Sequence, residues 1–174
     1  MFRGLMSCLC EVFGRSKYSG TISPQRTSDD EPMSYEMVYS WGQSMNNLLK
    51  YKVGQRHLAE FLKGEYSDEN ILFWLACEEL KKESNREKME EKVRIIYEDF
   101  ISILSPKEIS LDSRVREALN DDMQNPTSNI FDDAQSQIHT LMERDSYPRF
   151  VKSDFYKSIL ARFGVTEEVE VVNV

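Results

Sequence analysis

The stretch that most constrains the fold of this chain lies between residues 65 and 80 and reads EYSDENILFWLACEEL. Its apolar residues Ile71, Trp74 and Leu75 recur at the spacing i, i+3 and i+4, and Leu80 continues the same side. This periodicity is typical of an amphipathic helix packed into a core, and it does not fit the alternation of a strand. The stretch therefore predicts a core helix.

Polar residues mark the start of this helix. Ser67 is placed to be its N-cap residue, so that Asn70 falls at the third helical position. Asp68 and Glu69 bring negative charge to the positive end of the helix dipole. On periodicity alone, the simplest interpretation of this polar corner is a helix cap.

The other apolar segments also have the period of helices, and no run of alternating β-branched residues predicts a strand. Gly64 is placed to end the helix before the central one, as a C′ glycine. Pro106 and the pair Asn125-Pro126 break the periodicity, and Ser153 is placed to cap the last helix. The segments with helical periodicity lie at residues 35–41, 44–49, 58–63, 67–80, 89–100, 112–119, 131–142 and 155–163. The sequence therefore predicts an all-α domain.

The composition of the chain limits the classes of function. Its 174 residues suffice for one domain with tails, and its formal net charge of −8 argues against nucleic acid as a partner, since phosphate binding needs clustered Lys and Arg. No apolar run approaches the ~18 residues that span a bilayer, and the N-terminus lacks a signal-peptide pattern. The three cysteines form no disulfide framework, and no Cys/His set has zinc spacing. We therefore expect a cytoplasmic protein without a metal or a cofactor.

Residues suited to catalysis are scarce in this sequence. Its two histidines, His57 and His139, do not lie beside a Ser or Cys motif. No phosphate-binding glycine loop, dinucleotide motif or nucleophile elbow occurs. Cys77 falls within the apolar central helix, where a small buried thiol is the expected role. The sequence therefore predicts no catalytic residue, and an enzyme with an activity of its own is the least favoured class.

Residues 1–33 are predicted to be a tail and flexible linker in front of a domain at 34–163. As a helix, MFRGLMSCLCEVF would align its apolar side chains, and the first 26 residues carry four basic residues against one acidic residue. Cys8 and Cys10 lie where S-acylation would add an anchoring signal to the basic residues. Peripheral attachment to the inner surface of the plasma membrane is one interpretation, and a disordered tail with incidental thiols is the alternative.

Residues 164–174 are predicted to form a second tail, at the C-terminus. It ends in Val172-Asn173-Val174, a hydrophobic-x-hydrophobic pattern that some PDZ domains accept as an added strand. A match over three residues has little specificity, so a PDZ partner is a weak prediction and chance is the simpler explanation.

Four blocks of the sequence, in the same order, resemble the signature of the RGS domain, the regulators of G-protein signalling. The blocks are EYSDENILFWLACEEL at 65–80, YEDFI at 97–101, LDS at 111–113 and FDDAQSQIHTLMERDSYPRF at 131–150. The resemblance extends from Tyr39 to Leu160 and implies an RGS-like bundle of about nine helices. The tail is similar to the cysteine-rich tails of the small RZ subfamily, although the cysteine string is reduced here to Cys8-Leu9-Cys10.

The resemblance implies that the chain is a GTPase-activating protein for Gα subunits, of the Gi/o class with Gq as a second possibility. RGS domains donate no catalytic group, because Gα carries its own arginine and a glutamine that orients water. Their contribution is to hold the switch loops of Gα in the transition-state arrangement. The alternative is an RGS-fold scaffold that binds Gα or another partner without accelerating hydrolysis.

Carried over residue by residue, the resemblance implies a Gα-binding surface of three patches. The first patch consists of Glu65, Tyr66, Ser67, Glu69 and Asn70. The third patch consists of Leu141, Asp145, Ser146 and Arg149. In the third patch Asp145 would contact a switch threonine region, and Arg149 would hold Asp145 in place. Without the resemblance, this patch is a helix break with a local ion pair.

The middle patch departs from the commonest family pattern. Many members have an asparagine in the loop before a proline, and the sequence DDMQNP places Asp122 there. An ionised aspartate accepts hydrogen bonds but cannot donate them. We therefore expect Asp122→Asn to retain or raise the activity.

Overall fold

The computed structural model describes residues 32–163, and its helices account for most of them. They are α1 (Tyr35–Trp41), α2 (Met45–Lys50), α3 (Lys52–Gly64), α4 (Glu69–Lys81), α5 (Arg86–Ile96), α6 (Ser113–Asp122), α7 (Asp132–Arg144), α8 (Ser146–Lys152) and α9 (Asp154–Ala161). No strand occurs in this range, which confirms the all-α prediction. None of these helices is long and apolar enough to cross a bilayer. The predictions for the two tails, including Cys8 and Cys10, lie outside the described residues.

Side-chain caps start five of the helices, because a short polar side chain can accept a hydrogen bond from an N–H that has no partner within the helix. The capping residues are Ser34, Ser44, Asn85, Asp112 and Ser153. The Ser153 Oγ accepts from the Tyr156 N–H at 3.1 Å, as the sequence predicted. These caps fix the starts of helices on either side of the candidate site.

The central helix α4 is buried along most of its circumference. Its buried residues are Ile71, Leu72, Phe73, Leu75, Cys77 and Leu80, whereas Trp74 is half-buried. The Phe73 ring lies between those of Phe100 and Phe131, with centroids 5.8 and 5.9 Å away. Burial raises the pKa of the Cys77 thiol, which keeps it protonated and unreactive. The prediction of a core helix is therefore confirmed.

A single π-helical turn, Tyr97–Ile101, continues α5. The wider turn brings Ile101 into the core beside Phe100, whereas the apolar periodicity of the sequence ended at Phe100. The chain then leaves the helix at Ser102 and begins a long loop that reaches α6 at Ser113.

The helices α4 and α7 pack against each other and run in opposite directions. At one end, Lys81 of α4 forms an ion pair with Asp132 of α7 at 3.0 Å. At the other end, Asp145 follows α7, and Arg149 joins it to Glu65, which precedes α4. This second end of the helix pair carries the candidate site.

Candidate protein-interaction site

The corner between α3 and α4 is closed by two backbone hydrogen bonds. The Ser67 N–H donates to the Leu62 carbonyl at 2.9 Å, and the Tyr66 N–H donates to the Lys63 carbonyl at 3.2 Å. This pair of bonds is a Schellman motif, in which the residue after the C-cap adopts a left-handed conformation. The left-handed residue is Tyr66, with φ 56°, and Gly64 is the last residue of the helix itself. The prediction of Gly64 as the C′ residue is therefore wrong.

Tyr66 is strained and exposed at the same time. A residue with a Cβ in the left-handed region costs about 1 kcal/mol or more. Its side chain is 95% exposed, so contacts within the domain do not offset this strain. The helix end requires a left-handed residue, and the presence of an exposed aromatic residue there instead of glycine makes Tyr66 a candidate contact for a partner.

The structure corrects the prediction of Ser67 as the N-cap of α4. The helix starts at Glu69, its N-cap position is Asp68, and Asn70 therefore lies at the second helical position rather than the third. The physical reason is that Ser67 belongs to the Schellman closure of α3. The Ser67 Oγ and Asn70 Oδ1 are buried and have no hydrogen-bond partner among residues 32–163. Buried polar oxygens without a hydrogen-bond partner are uncommon in proteins.

The third patch meets this corner through one arginine. The Arg149 Nε donates to the Glu65 Oε2 at 3.1 Å, and the Arg149 Nη1 donates to the Asp145 carboxylate. The hydrogen bond to Asp145 is the main cause that raises the pKa of Arg149. Ser146 is buried, and Leu141 is partly exposed on the last turns of α7. The structure thus brings the first and third sets of residues together on one face, with Arg149 as their link.

The loop from Ser102 to Asp112 also belongs to this face, and sequence reasoning missed it. The Lys107 Nζ donates to both carboxylate oxygens of Asp68, at 3.1 Å each. Ile109 is buried below the loop, which leaves Glu108 and Ser110 exposed. Because Asp68 is the N-cap of α4, this ion pair fixes the loop beside the strained corner. The only indication of this loop in the sequence was the group of polar residues around Pro106, and the periodicity analysis identified that group as no more than a helix break.

Asp122, the predicted residue of the middle patch, lies outside this face. It ends α6, and the loop that follows it lines a shallow cavity of about 330 Å³ together with Glu83 and Ser84. Those two residues come after the C-terminus of α4, whereas Asn70 lies at its N-terminus. A helix of 13 residues is ~20 Å long. The structure therefore does not bring Asp122 to the face that carries the other predicted site residues.

Both histidines have structural contacts. The His57 Nδ1 lies 2.7 Å from the Val53 carbonyl oxygen, and its ring contacts Trp41 and Phe155. The His139 Nε2 lies 3.1 Å from the Asn46 Oδ1. Within residues 32–163 no group of three or more His, Cys, Asp or Glu could hold a metal ion.

The helical bundle carries a polar face whose parts are joined by Arg149 and Lys107, and comparison with known families identifies the class of protein. The family model of the regulator of G protein signaling domain matches residues 44–159. The chain belongs to the RGS family.

Relatives of known name support this assignment. The chain is 67% identical to "Regulator of G-protein signaling rgs-1" of Caenorhabditis elegans over 164 residues, which cover 94% of this chain and 81% of that protein. It is 60% identical to "Regulator of G-protein signaling rgs-2" of the same organism over 166 residues, which cover 94% and 98%. It is also similar to "Regulator of G-protein signaling 20" of Homo sapiens, with 61% identity over 125 residues, 72% of this chain and 32% of that protein.

Proposed function

We propose that this chain is a GTPase-activating protein for Gα subunits of the Gi/o class and has no catalytic residue of its own. The observation that carries the proposal is the single face formed by the α3–α4 corner, the Ser102–Asp112 loop and the α7–α8 junction. Arg149 and Lys107 hold its three parts in place. Three protein segments fixed before a partner arrives suit the task of immobilising mobile loops in another protein.

The mechanism follows from differential binding. Gα already carries the groups that hydrolyse GTP, so a partner accelerates the reaction by binding the transition-state arrangement of the switch loops more tightly than the ground state. An acceleration of ~100-fold corresponds to about 2.7 kcal/mol. Two or three hydrogen bonds made only in the transition state supply this amount.

The residues of the face have distinct roles in this proposal. The Asn70 Oδ1 and Ser67 Oγ are buried without a partner among residues 32–163, and in this proposal their side chains rotate outward to accept hydrogen bonds from the switch loops. The Asp145 carboxylate accepts further hydrogen bonds and is oriented by Arg149. Tyr66 provides an exposed aromatic contact. The remaining patch residues, Glu65, Glu69, Leu141 and Ser146, shape the surface around them.

The class of Gα is testable with a panel. We expect faster single-turnover GTP hydrolysis by Gi/o members, and a smaller effect or none on Gq members. The same amount of chain is added to each purified Gα, and the rate constants are compared. Acceleration of Gq alone would contradict the assignment to Gi/o while leaving the GTPase-activating function in place.

The Tyr66→Gly variant is expected to be more stable than the parent and to bind Gα more weakly. Glycine adopts a positive φ without strain, so the free energy of unfolding rises by about 1 kcal/mol. Loss of the exposed ring weakens binding to Gα·GDP·aluminium fluoride, a mimic of the transition state, by about tenfold. Thermal unfolding and a binding titration measure the two effects.

The neighbouring Gly64→Ala variant is the matched control for Tyr66→Gly. A Cβ at Gly64 meets no atom within 4 Å, and the residue is helical, so alanine stabilises the helix without touching the ring. We expect a gain in stability with unchanged binding. If Tyr66→Gly binds as tightly as the parent, Tyr66 is not a contact.

The Asp122→Asn variant is expected to change the acceleration by less than about twofold. The reason is its position at the end of α6, beyond the C-terminus of α4 and away from the proposed face. Single-turnover hydrolysis with Gi/o Gα measures the effect. A loss of about tenfold or more, equal to ~1.4 kcal/mol, would show that the partner extends to this loop.

We also propose that residues 1–33 attach the chain peripherally to the plasma membrane through acylated Cys8 and Cys10. The support is in the sequence, where two thiols lie among apolar and basic residues. Combined Cys8→Ser and Cys10→Ser replacement is expected to move most of the protein from the membrane fraction of cells to the soluble fraction. Ser7→Ala serves as the control. Unchanged fractionation of the double variant would exclude acylation of these thiols as the anchor.

A further inference from the structure

A polar network interrupts the apolar interface between α4 and α7. At its centre Gln135 is only 5% exposed. The Gln135 Nε2 donates to the Glu78 Oε1 at 2.8 Å and to the Trp74 carbonyl at 3.1 Å, while its Oε1 accepts from the Lys81 Nζ at 2.6 Å. Lys81 also pairs with Asp132 at 3.0 Å. We name these five residues the register network.

Every hydrogen-bonding group of the buried Gln135 amide has a partner from α4. Apolar side chains of both helices are buried in the same core, among them Phe73 of α4, whose ring contacts that of Phe131, and Ile138 and Met142 of α7. Apolar contacts are non-directional, and methionine adapts to small shifts. Hydrogen bonds lose strength within a few tenths of an ångström or a modest change of angle. The network therefore fixes how far α4 can slide along α7.

The register network and the candidate site lie at opposite ends of the same helix pair. The network joins the C-terminal half of α4 to the first turn of α7, whereas Asn70 and Asp145 lie at the other ends. Helices are stiff over this length, so a change of register at the network moves the two site residues relative to each other. Sliding by one residue along the axis displaces them by ~1.5 Å.

We propose that Gln135 is a positioning residue that sets the separation of the α4 and α7–α8 parts of the Gα-binding face, an inference that rests on the proposed function. It touches no partner, and its effect reaches the face through the register of the two helices. A buried polar group with this role specifies one arrangement among several of similar energy.

Gln135→Met tests the proposal without leaving buried orphan groups. Methionine has a similar length and removes only the amide. Lys81 keeps Asp132, the side chains of Glu78 and Lys81 are about one third exposed to water, and the Trp74 carbonyl remains inside its helix. The domain is therefore expected to stay folded, with a melting temperature within ~5 °C of the parent.

The distance between α4 and α7 reports the register of the two helices directly, and its measurement does not require Gα. Nitroxide labels are attached at Glu79→Cys on α4 and Thr140→Cys on α7, in a full chain that also carries Cys8→Ser and Cys10→Ser. The buried Cys77 does not compete for the label.

Pulsed electron paramagnetic resonance is expected to give one narrow distance for the parent and a shifted or clearly broader distribution for Gln135→Met. The Ser136→Met control, at an exposed position on α7, is expected to match the parent.

The activity measurement adds a rescue. Gln135→Met is expected to lower the maximal acceleration of Gi/o Gα by about tenfold, because misplaced groups lose transition-state contacts. Combining Gln135→Glu with Glu78→Gln exchanges donor and acceptor between these two side chains and keeps a carboxylate for Lys81, but it leaves the Trp74 carbonyl facing a carboxylate oxygen. This double variant is therefore expected to recover the narrow distance and the activity only in part.

The outcomes separate the two proposals. An unchanged distance distribution in Gln135→Met overturns the register role, whatever the activity. If the distance distribution of Gln135→Met is broader but the variant accelerates GTP hydrolysis as the parent does, the register of the two helices does not affect activity, and that part of the proposal is overturned. If the parent itself fails to accelerate Gα while Gln135→Met broadens the distance, the proposed function fails and the structural role of Gln135 remains.

Discussion

The Asn70→Ala variant is expected to lose most of the acceleration of GTP hydrolysis, about 100-fold at limiting concentrations of the chain. The Asn70 Oδ1 is buried at the start of α4 without a partner among the described residues. An amide in that state can both accept and donate to a bound loop, and water is largely excluded around it. Alanine removes those hydrogen bonds, and the loss corresponds to about 2.7 kcal/mol of transition-state stabilisation.

The expected loss at Asn70 is specific to function. Because this side-chain oxygen makes no hydrogen bond within residues 32–163, alanine is expected to leave thermal unfolding nearly unchanged. Asn129→Ala, in the exposed loop before α7, is the matched control and is expected to keep full activity. An Asn70→Ala variant that remains folded and accelerates hydrolysis as the parent does would remove this residue from the site.

The second large effect is expected for Arg149→Met. Arg149 joins the Glu65 carboxylate to the Asp145 carboxylate, and its fork of donors allows one side chain to contact both. Methionine leaves two unpaired negative charges at the centre of the face, and Asp145 loses the group that orients it. We expect the acceleration to fall by about 30- to 100-fold, close to the effect of Asn70→Ala.

The stability of Arg149→Met is expected to change little, since ion pairs that are this exposed contribute about 0–1 kcal/mol. Arg149→Lys is expected to be intermediate, because an ammonium group reaches one carboxylate well but not both. Lys152→Met removes a positive charge from the same helix and is expected to act like the parent. Equal losses in Arg149→Met and Lys152→Met would point to net charge rather than to the orientation of Asp145.

The sequence predicted the parts of the fold that depend on local periodicity and capping. The spacing of Ile71, Leu75 and Leu80 is dictated by one buried helix face, and all three are buried. Ser153 caps its helix as predicted, because its hydroxyl oxygen and the orphan N–H group of Tyr156 are only three residues apart. Such signals are complete within a few residues, so they can be read without the tertiary structure.

Features that depend on distant contacts were missed or misplaced. Glycine is the usual residue at a left-handed helix end, which favoured Gly64, whereas the structure places Tyr66 there. Lys107 and Asp68 are 39 residues apart in the chain, so their ion pair could not be predicted from spacing. Asp122 was assigned by its place before a proline, and only the packing of that loop beyond the end of α4 shows where it lies.

A resemblance over several blocks carries tertiary information that local signals lack, so it assigned residues that are far apart in the sequence to one candidate surface, whose role in binding Gα stays a prediction. The first and third patches are far apart in the sequence, and the structure joins them through Arg149. The register network, in contrast, was not predicted from the sequence. In the sequence, Gln135 is a polar residue within a helical segment, and nothing in the pattern indicates that it is buried. Its contacts with Trp74 and Lys81 are seen only in the structure.

The most direct test of the central claim is single-turnover GTP hydrolysis by a purified Gi/o-type Gα, measured over a range of concentrations of the full chain. We expect a rate constant that rises to a plateau ~100-fold above that of Gα alone. We also expect that the chain without Gα releases no phosphate from GTP. A folded chain that leaves the rates of Gi/o and Gq subunits unchanged at every concentration would contradict the proposed GTPase-activating function.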